Sequence, residues 1–261
     1  MILLSFDIEE FDMPFEYNKN ISFDDQISIS KTGTTIILDL LKLYNITATF
    51  FSTATFAINA RDIIKRIIDE GHELASHSYY HSSFKEEHLL ESKQKLEEIS
   101  QSKVIGFRMP RMQPVDDDAI FRAGYVYNTS LNPTFLPGRY NNFFKPRTYF
   151  KQNGVWQIPA SVSSIIRIPL FWLSFHNLPL FLYNKLCNNT LKKDKYLNLY
   201  FHPWEFTDLA DKERFGFPNY VSKNSGIAMK NRMEQFIIAM KRKNHSFMIF
   251  KDLIAKIDQK P

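Results

Sequence analysis

Short segments with strand character alternate with amphipathic helical patterns along most of this chain. The strand-like segments are rich in β-branched and aromatic residues: ILLSF, ITATFF, ELAS, VIGF, YVYNTSL, VWQIP, YLNLYF and SFMIF. Helical periodicity marks several of the intervening stretches: TGTTIILDLLKLY, ARDIIKRIIDEG, KEEHLLESKQKLEEIS, DDDAIFRAGY and AMKNRMEQFIIAMKRKN. This alternation predicts a parallel sheet with helices packed on it, closed or open, and a barrel-like α/β fold is the natural candidate.

The length of 261 residues suits one large domain with its own core, spanning residues 1–261, although a division into two smaller domains stays open. The single cysteine, Cys187, excludes an intrachain disulfide and a cysteine-based zinc cluster. The formal net charge of +5 would suit an anionic partner, but the lysines are scattered and no nucleic-acid recognition motif accompanies them. We therefore expect no nucleic-acid partner, and the sequence does not indicate an oligomeric state.

No N-terminal signal peptide is recognisable, because the apolar run after Met1 lasts five residues before Asp7 and no basic region precedes it. A cytoplasmic location is therefore the expectation. One segment, residues 165–187, is rich in Leu, Phe and Trp, yet it contains Arg167, His176 and two prolines and fits a membrane-spanning helix poorly. It predicts either an apolar insertion or lid, or a patch resting on a membrane surface, and the two alternatives have equal support.

The first strand-like segment runs directly into a cluster of carboxylates in LLSFDIEEFD, namely Asp7, Glu9, Glu10 and Asp12. In parallel α/β folds, ligands bind at the C-terminal ends of the strands. Because side chains alternate along an extended chain, Asp7 and Glu9 should point to one side and Glu10 to the other. Asp7 and Glu9 are therefore the natural functional pair, and a solvated strand end is the alternative.

Two of the seven histidines, His77 and His81, stand four residues apart after the segment ELAS. Two imidazoles at this spacing can share one metal ion if the segment turns helically, and a carboxylate from another strand would complete a set of three ligands. Such a pair also arises by chance in a chain with seven histidines, so a surface or capping role is the alternative. We assign no site role to four others: His72, His88, His176 and His245.

Two further strand-like segments end in groups that could complete a catalytic site. VIGF leads into RMPR, where Arg108 could hold a carboxylate through its fork of donors and Arg111 follows. YLNLYF leads into HPWEF, where His202 could be a general acid or a packed core residue. Each signal alone is weak, and their order and placement at strand ends are the stronger indication.

Taken in order, the acidic cluster, HSYYH, RMPR and LYFH resemble the motifs of the polysaccharide deacetylase family with the NodB homology domain, carbohydrate esterase family four. The resemblance covers roughly residues 2–206, and GHELASHSYYH is its most specific part. It implies a distorted (β/α) barrel and a divalent metal, with zinc the expected ion, held by one acid and two histidines. It also implies removal of acetyl groups from N-acetylated sugars.

Carried over residue by residue, the resemblance assigns Asp7 as the general base, Arg108 as the residue that orients it, and His202 as the general acid. The substrate contacts would come from three further positions: the backbone N–H near Arg111, Leu199 on the wall of an acetyl pocket, and Trp204 beside the acid.

The resemblance also assigns the metal ligands. His77 and His81 match the two histidines of the family motif. The acidic ligand usually follows the catalytic Asp directly, but here that residue is Ile8. The sequence instead resembles the D-x-D/E variant, which makes Glu9 the expected ligand and Glu10 the fallback.

One departure from the family pattern concerns the general acid. The family usually pairs that histidine with an Asp from an intermediate motif, whereas the corresponding region here offers only Asn128 and Asn132. An amide can orient an imidazole but cannot stabilise imidazolium as a carboxylate does. We therefore expect His202 to be less basic than usual or to use another partner, such as Glu205 or Asp208.

The sequence thus predicts a metal-dependent N-deacetylase that acts on an amino sugar of a glycan or a lipid-linked glycan. Two alternatives remain. One is a hydrolase of another non-peptide amide on the same fold. The other is a carbohydrate-binding protein with weakened catalysis, for which the two asparagines are the supporting feature.

Overall fold

The computed structural model describes residues 1–138 and 140–259. Its strands are β1 (Ile2–Ile8), β2 (Thr49–Ser52), β3 (Glu73–Ser76), β4 (Gly106–Phe107), β5 (Tyr127–Asn128), β6 (Phe135–Leu136), β7 (Tyr140–Asn141), β8 (Phe150–Gln152), β9 (Val155–Gln157), β10 (Leu197–Phe201) and β11 (Phe247–Met248). Its α-helices are α1 (Phe23–Leu43), α2 (Ala54–Asn59), α3 (Arg61–Asp69), α4 (Glu87–Ser100), α5 (Asp117–Arg122), α6 (Trp172–Asn177), α7 (Leu180–Asp194), α8 (Lys212–Phe215), α9 (Asn219–Ser222), α10 (Ile227–Lys241) and α11 (Phe250–Asp258). Short 3₁₀ helices lie at Met13–Tyr17, Pro110–Met112 and Pro203–Phe206.

A curled sheet with the strand order β10-β1-β2-β3-β4-β5-β9-β8 forms the centre of the molecule, and β11 pairs with β1. The strands from β10 to β9 run parallel to their neighbours, whereas β8 returns antiparallel to β9. The segment after β9 contacts β10 through backbone hydrogen bonds outside the regular strand pairing. One of them is donated by the Ser161 N–H to the Asn198 carbonyl at 2.9 Å. The sheet is a half-barrel with helices around it, which confirms the predicted distorted (β/α) barrel.

All eight predicted strand segments lie in this sheet, as β1, β2, β3, β4, β5, β9, β10 and β11. Parallel strands covered on both faces are expected to be apolar throughout. All seven residues of the first strand are buried between β10 and β2, and all are apolar except Ser5 and Asp7. Asp7 is paired with Phe51 in the register of β2, one position before the C-terminal end of β1.

The five predicted helical patterns correspond to α1, α3, α4, α5 and α10. Helix α1 begins earlier than its pattern, at Phe23, because the Ser22 side chain caps it by accepting a hydrogen bond from the Asp25 N–H. The helical patterns did not indicate α2, α6, α7, α8, α9 or α11. None of the helices in residues 1–138 and 140–259 combines the length and apolarity needed to cross a membrane.

A glycine lets α1 approach the segment that follows β10. A Cβ atom at Gly33 would lie 1.9 Å from the carbonyl oxygen of Pro203, well inside contact distance. Pro203 begins the 3₁₀ helix directly after His202. The position of this histidine therefore depends on a close backbone contact that only glycine permits.

We expect Gly33→Ala to lower the free energy of unfolding by about 2 kcal/mol, because the added methyl must displace backbone atoms of Pro203. Urea denaturation monitored by fluorescence measures this change. The matched control is Thr32→Ala, one residue earlier on the exposed face of α1, which should stay within about 0.5 kcal/mol of the parent. Equal stability of both variants would contradict the close contact.

Candidate active site

The C-terminal ends of parallel strands bring the predicted site residues together around one cavity of about 300 Å³. Strand β1 delivers Asp7 and leads to Glu9, and the loop after β3 carries His77 and His81. His202 follows β10 on the other side of β1. All five line the same cavity, although they are far apart in the sequence.

Asp7 forms a buried ion pair with Arg108, which follows β4. The guanidinium donates to Asp7 Oδ1 at 2.5 Å and to the hydroxyl of Ser5 at 3.0 Å, and its side chain is fully buried. Its planar face lies 4.0 Å from the centre of the Phe51 ring. Arg108 therefore fixes the orientation of Asp7 and leaves Asp7 Oδ2 facing the cavity, as the sequence predicted.

Glu9, His77 and His81 converge within one small cluster. Glu9 Oε2 lies 3.0 Å from His77 Nε2 and 3.2 Å from His81 Nε2. One ligand atom from each of the three residues lies within 4.8 Å of the other two. Despite these short distances, Glu9 Oε2 is buried and has no hydrogen bond of acceptable geometry among the described residues.

The outer ring nitrogens show why this cluster suits a cation. His77 Nδ1 donates to the carbonyl oxygen of Arg108 at 2.8 Å, and His81 Nδ1 donates to Asp12 Oδ1 at 2.7 Å. In the neutral imidazoles, both Nε2 atoms then carry lone pairs that face Glu9. Three acceptors meet with no donor between them, which is the donor set of a divalent metal site.

The electrostatics of the cluster agree with this assignment. Burial alone would raise the pKa of Glu9, but His81 and His77 lower it to about 2. Burial alone would lower the pKa of His81, but Glu9 and Asp12 raise it to about 9. The electrostatic potential between Glu9, His77 and His81 therefore favours a bound positive charge, which can be a proton or a metal ion.

The other two carboxylates of the acidic segment LLSFDIEEFD, Glu10 and Asp12, have separate partners. Glu10 points away and accepts a hydrogen bond from Thr53 Oγ1 at 2.5 Å, as the alternation of side chains predicted. Asp12 contacts His81, Ser82 and Arg111, so it orients one proposed ligand. Sequence reasoning missed this role of Asp12, and only its place in the acidic cluster hinted at it.

His202 has a buried carboxylate partner in Glu205, one of the two alternatives that the sequence left open. Glu205 Oε1 accepts from the backbone N–H of His202 at 2.6 Å and lies 3.1 Å from its Nδ1. His202 Nε2 is thereby directed into the cavity, 4.0 Å from Asp7 Oδ2. Burial would lower the pKa of His202, but Glu205, Glu9 and Asp7 raise it instead.

Glu205 also binds His176, which the sequence analysis left without a role. Glu205 Oε2 accepts from His176 Nε2 at 2.9 Å, and His176 Nδ1 donates to the carbonyl of Lys223 at 2.6 Å. Burial would raise the pKa of Glu205, whereas His176 and His202 lower it. No local motif marks His176, because its partner lies 29 residues away on another element.

The asparagines in the place of the usual Asp do not contact His202. The Asn128 amide donates to Gln157 at 3.0 Å and its oxygen accepts from Ser130. Asn132 is buried without a side-chain hydrogen bond to the described residues. The carboxylate partner of His202 is instead Glu205, three residues later in the 3₁₀ helix Pro203–Phe206.

The cavity wall differs from the expectation at one residue. Leu199 is fully buried in the main apolar core, so its assignment to the wall of the acetyl pocket is corrected. Side chains alternate along β10, and Tyr200 therefore shares the cavity side with His202. Trp204 lines the cavity as predicted and stacks on His202 with ring centres 4.9 Å apart.

Arg111 also lines the cavity, but its side chain is engaged with the protein. It donates to Glu16 at 2.8 Å and to the carbonyl of His81 at 3.2 Å. Its backbone has a φ of 55°, an uncommon value for a residue with a side chain. The predicted use of the backbone N–H near Arg111 in substrate binding stays a prediction.

We expect the protein to bind one Zn²⁺ per chain and Glu9→Ala to abolish this stoichiometric binding, because one of three ligand atoms is lost. Titration calorimetry and metal analysis after dialysis measure it. Glu10→Gln is the matched control, since its amide oxygen can still accept from Thr53. Retained metal in Glu9→Ala together with loss in Glu10→Gln would identify Glu10 as the ligand instead.

Part of the chain matches a known protein family. The sequence profile described as polysaccharide deacetylase matches residues 19–124. Peptidoglycan-N-acetylmuramic acid deacetylase PdaA of Bacillus subtilis is 44% identical over 45 residues, which are 17% of this chain and 17% of that protein. Peptidoglycan-N-acetylglucosamine deacetylase PgdA of Listeria monocytogenes is 42% identical over 66 residues, 24% of this chain and 14% of that protein. The chain therefore spans less than a fifth of the length of these two curated relatives.

The fold is shared over almost the whole chain. The crystal structure of a probable polysaccharide deacetylase from Pseudomonas aeruginosa PAO1 aligns with a TM-score of 0.71 and 14% identity, over 99% of this chain and 91% of the other. That of Puue allantoinase aligns with a TM-score of 0.65 and 16% identity, over 97% and 88%. At such identities the structures establish the fold alone. The matched sequence profile over residues 19–124 and the shared fold thus make this chain similar to the polysaccharide deacetylases of the NodB type.

Proposed function

We propose that this protein is a metal-dependent hydrolase that removes the N-acetyl group of an amino sugar in a glycan or a lipid-linked glycan. One observation carries the proposal. Asp7, a carboxylate held by arginine, lies 4.0 Å from His202, an imidazole held by a carboxylate, and both line the cavity that contains the cluster of Glu9, His77 and His81. A base, an acid and a metal site around one cavity are the groups that hydrolysis of an unactivated amide requires.

Asp7 is the proposed general base. Its Oδ1 is held by Arg108, so Oδ2 is the oxygen that can take a proton from the attacking water. Arg108 cannot move easily, because it also binds Ser5 and packs on Phe51. Asp7 therefore remains in one orientation through the reaction.

His202 is the proposed general acid, since an amine cannot leave the tetrahedral intermediate as an anion. Glu205 holds Nδ1, so the proton available for transfer is on Nε2, which faces the cavity. The carboxylate stabilises the imidazolium that precedes proton transfer. Trp204 stacks against the ring and limits its rotation.

Glu9, His77 and His81 would hold the metal ion. Zinc is the proposed ion, because two imidazoles and one carboxylate are a common ligand set of catalytic zinc. When bound, it supplies Lewis-acid polarisation of the water and of the acetyl carbonyl. Asp12 and the Arg108 carbonyl keep the two imidazoles directed at that position.

The proposed substrate class rests on the cavity and on the relatives. Aromatic side chains, including Tyr200 and Trp204, line the cavity beside the polar groups, and flat apolar faces are suited to packing against sugar rings. The matched proteins are named as deacetylases of peptidoglycan sugars and, in Bradyrhizobium, of chitooligosaccharides. An N-acetylated amino sugar is the feature that these names share.

The two alternative functions differ in support. The non-catalytic alternative depended on the missing Asp, and Glu205 now provides a carboxylate for His202. The second alternative, hydrolysis of another non-peptide amide, is tested by an assay of the released products. Acetate release from chito-oligosaccharides, compared with ammonia or amine release from a panel of linear and cyclic amides, separates it from sugar deacetylation.

We expect Asp7→Asn to lower kcat for acetate release at least about 1,000-fold, because the amide cannot accept the proton of the water. Coupled enzymatic detection of acetate measures the rate, and metal analysis should show unchanged stoichiometry. Full activity in this variant would remove Asp7 as the base.

We expect Glu205→Gln to lower kcat by about 10- to 100-fold, because the amide orients His202 without stabilising its imidazolium. The control is Asp208→Asn, the other acid that the sequence offered as a partner, which should change kcat by less than about twofold. Steady-state kinetics on one chito-oligosaccharide decides between them. The reverse order of the two effects would assign the partner to Asp208.

A further inference from the structure

The distribution of charge along the chain is strongly uneven in one region. No Asp or Glu occurs between Asp118 and Asp194, although the chain contains 28 acidic residues. The same region contains cations throughout, among them Lys145, Arg167 and Lys192. It includes the β6–β7 hairpin, the loop that follows it, and the whole segment 165–187. The positive charge of this region is therefore not balanced by acids of the same stretch.

Two loops of this region are tied together. Arg167 donates to the carbonyls of Pro133 at 3.1 Å and Lys145 at 2.8 Å, and Thr134 donates to the Arg167 carbonyl at 2.7 Å. The Arg167 guanidinium also lies 5.1 Å from the centre of the Phe143 ring. These contacts place residues 133–138 and 140–145 beside residues 164–167 as one surface.

This surface exposes large apolar side chains. Phe144 is 92% exposed, Ile165 83%, Ile166 66% and Phe135 55%. We call these four residues the apolar tip. Isolated exposed apolar residues are ordinary, but a group on two connected loops marks a surface that binds something apolar.

The apolar tip adjoins the mouth of the active-site cavity. Leu136 and Tyr140, from the same hairpin as Phe135, line the cavity. Phe171 and Trp172, a few residues after Ile166, line it from the other loop. In both loops, some residues therefore line the cavity, and the residues of the apolar tip are exposed beside the cavity opening.

Cations surround the apolar tip without neighbouring acids of the same loops. Lys145 lies next to Phe144 and forms no ion pair with the described residues. Arg167 donates to backbone carbonyls and not to a carboxylate, and the nearby acid Asp194 forms its ion pair with Arg147 instead. The last turn of α7, with exposed Lys192 and Lys193, is joined to this loop by the ion pair between Arg147 and Asp194.

We propose that the apolar tip inserts into the interface of an anionic lipid bilayer, with the surrounding lysines and arginines on the lipid headgroups. Apolar side chains flanked by cations and free of acids are the combination that binds such surfaces, since burial and electrostatic attraction act together. The contact is made by Phe135, Phe144, Ile165 and Ile166. Elsewhere in segment 165–187, Phe171 and Trp172 line the cavity and Phe175 and Tyr183 are buried in the core, whereas Phe181 on α7 is 76% exposed.

This placement has a consequence for the substrate, which rests on the proposed function. With the tip in the bilayer interface, the cavity opens beside the headgroups. An acetylated sugar attached to a lipid would reach Asp7 and His202 from the membrane, whereas a long soluble polymer would have to pass between protein and lipid. The substrate class that fits is a lipid-linked amino sugar.

Flotation of the protein with vesicles tests the lipid contact. Vesicles of phosphatidylcholine alone are compared with vesicles that contain one quarter phosphatidylglycerol. We expect the parent protein to float with the anionic vesicles, less with the neutral ones, and less again as salt is raised. F144S/I165S should lower the partition coefficient at least about tenfold, because two inserted apolar side chains are lost.

The matched control is L43S/L90S, which removes two exposed apolar side chains from the outer helices α1 and α4 and should float like the parent. Lys145→Glu, a change outside the apolar tip, should weaken binding to the anionic vesicles only. Equal flotation of F144S/I165S and the parent, or no preference of the parent for anionic vesicles, would overturn the proposal. A parent dimer that F144S/I165S converts to a monomer, without vesicle binding, would assign the tip to a second copy of the chain.

Acetate release from a soluble chito-oligosaccharide is measured on the same samples. F144S/I165S should retain the parent rate, since neither residue lines the cavity. Loss of flotation with retained activity supports the lipid contact by itself. Absence of activity in the parent would overturn the proposed function and leave the flotation result to decide the lipid contact.

Discussion

The buried ion pair between Asp7 and Arg108 joins the ends of β1 and β4 and imposes conditions on the residues around it. Removing one partner of such a pair typically costs about 3–5 kcal/mol, because the other charge stays buried. Further contacts support the pair: Arg108 donates to the Ser5 hydroxyl, and its guanidinium lies against the faces of Phe51 and Tyr200. These come from three neighbouring strands, so the sheet order and the catalytic geometry depend on the same contacts.

The second proposed catalytic group, His202, is held in a different way. His202 takes its carboxylate from Glu205 in the turn that follows it, whereas the family resemblance implied an acid from a distant motif. The local source fixes the distance between ring and acid through a single turn of 3₁₀ helix. It also links His202 to His176 on α6, so one chain of buried hydrogen bonds connects the proposed general acid to the helix that begins at Trp172.

The segment 165–187 contains both residues that line the cavity or the core and residues that are exposed, and its apolar composition alone could not distinguish them. Phe171 and Trp172 line the cavity, and Phe175 and Tyr183 are buried in the core. Ile165 and Ile166 face outward beside the hairpin residues of the apolar tip. The part that lines the cavity and the exposed part for which a membrane contact is proposed are therefore successive stretches of one segment, a few residues apart.

The sequence by itself determined the strands and the residues at their ends, because periodicity and side-chain alternation are local properties. The alternation of side chains placed Asp7 and Glu9 on one side of the chain and Glu10 on the other. The order of the motifs at strand ends placed the acidic cluster, both histidines of HSYYH, Arg108 and His202 around one site. Only the tertiary structure decided which acid serves His202, why Asp12 matters to His81, and that Tyr200 replaces Leu199 in the wall. These contacts join different elements or depend on the exact end of a strand, and no local pattern encodes which distant side chain will fill a given position.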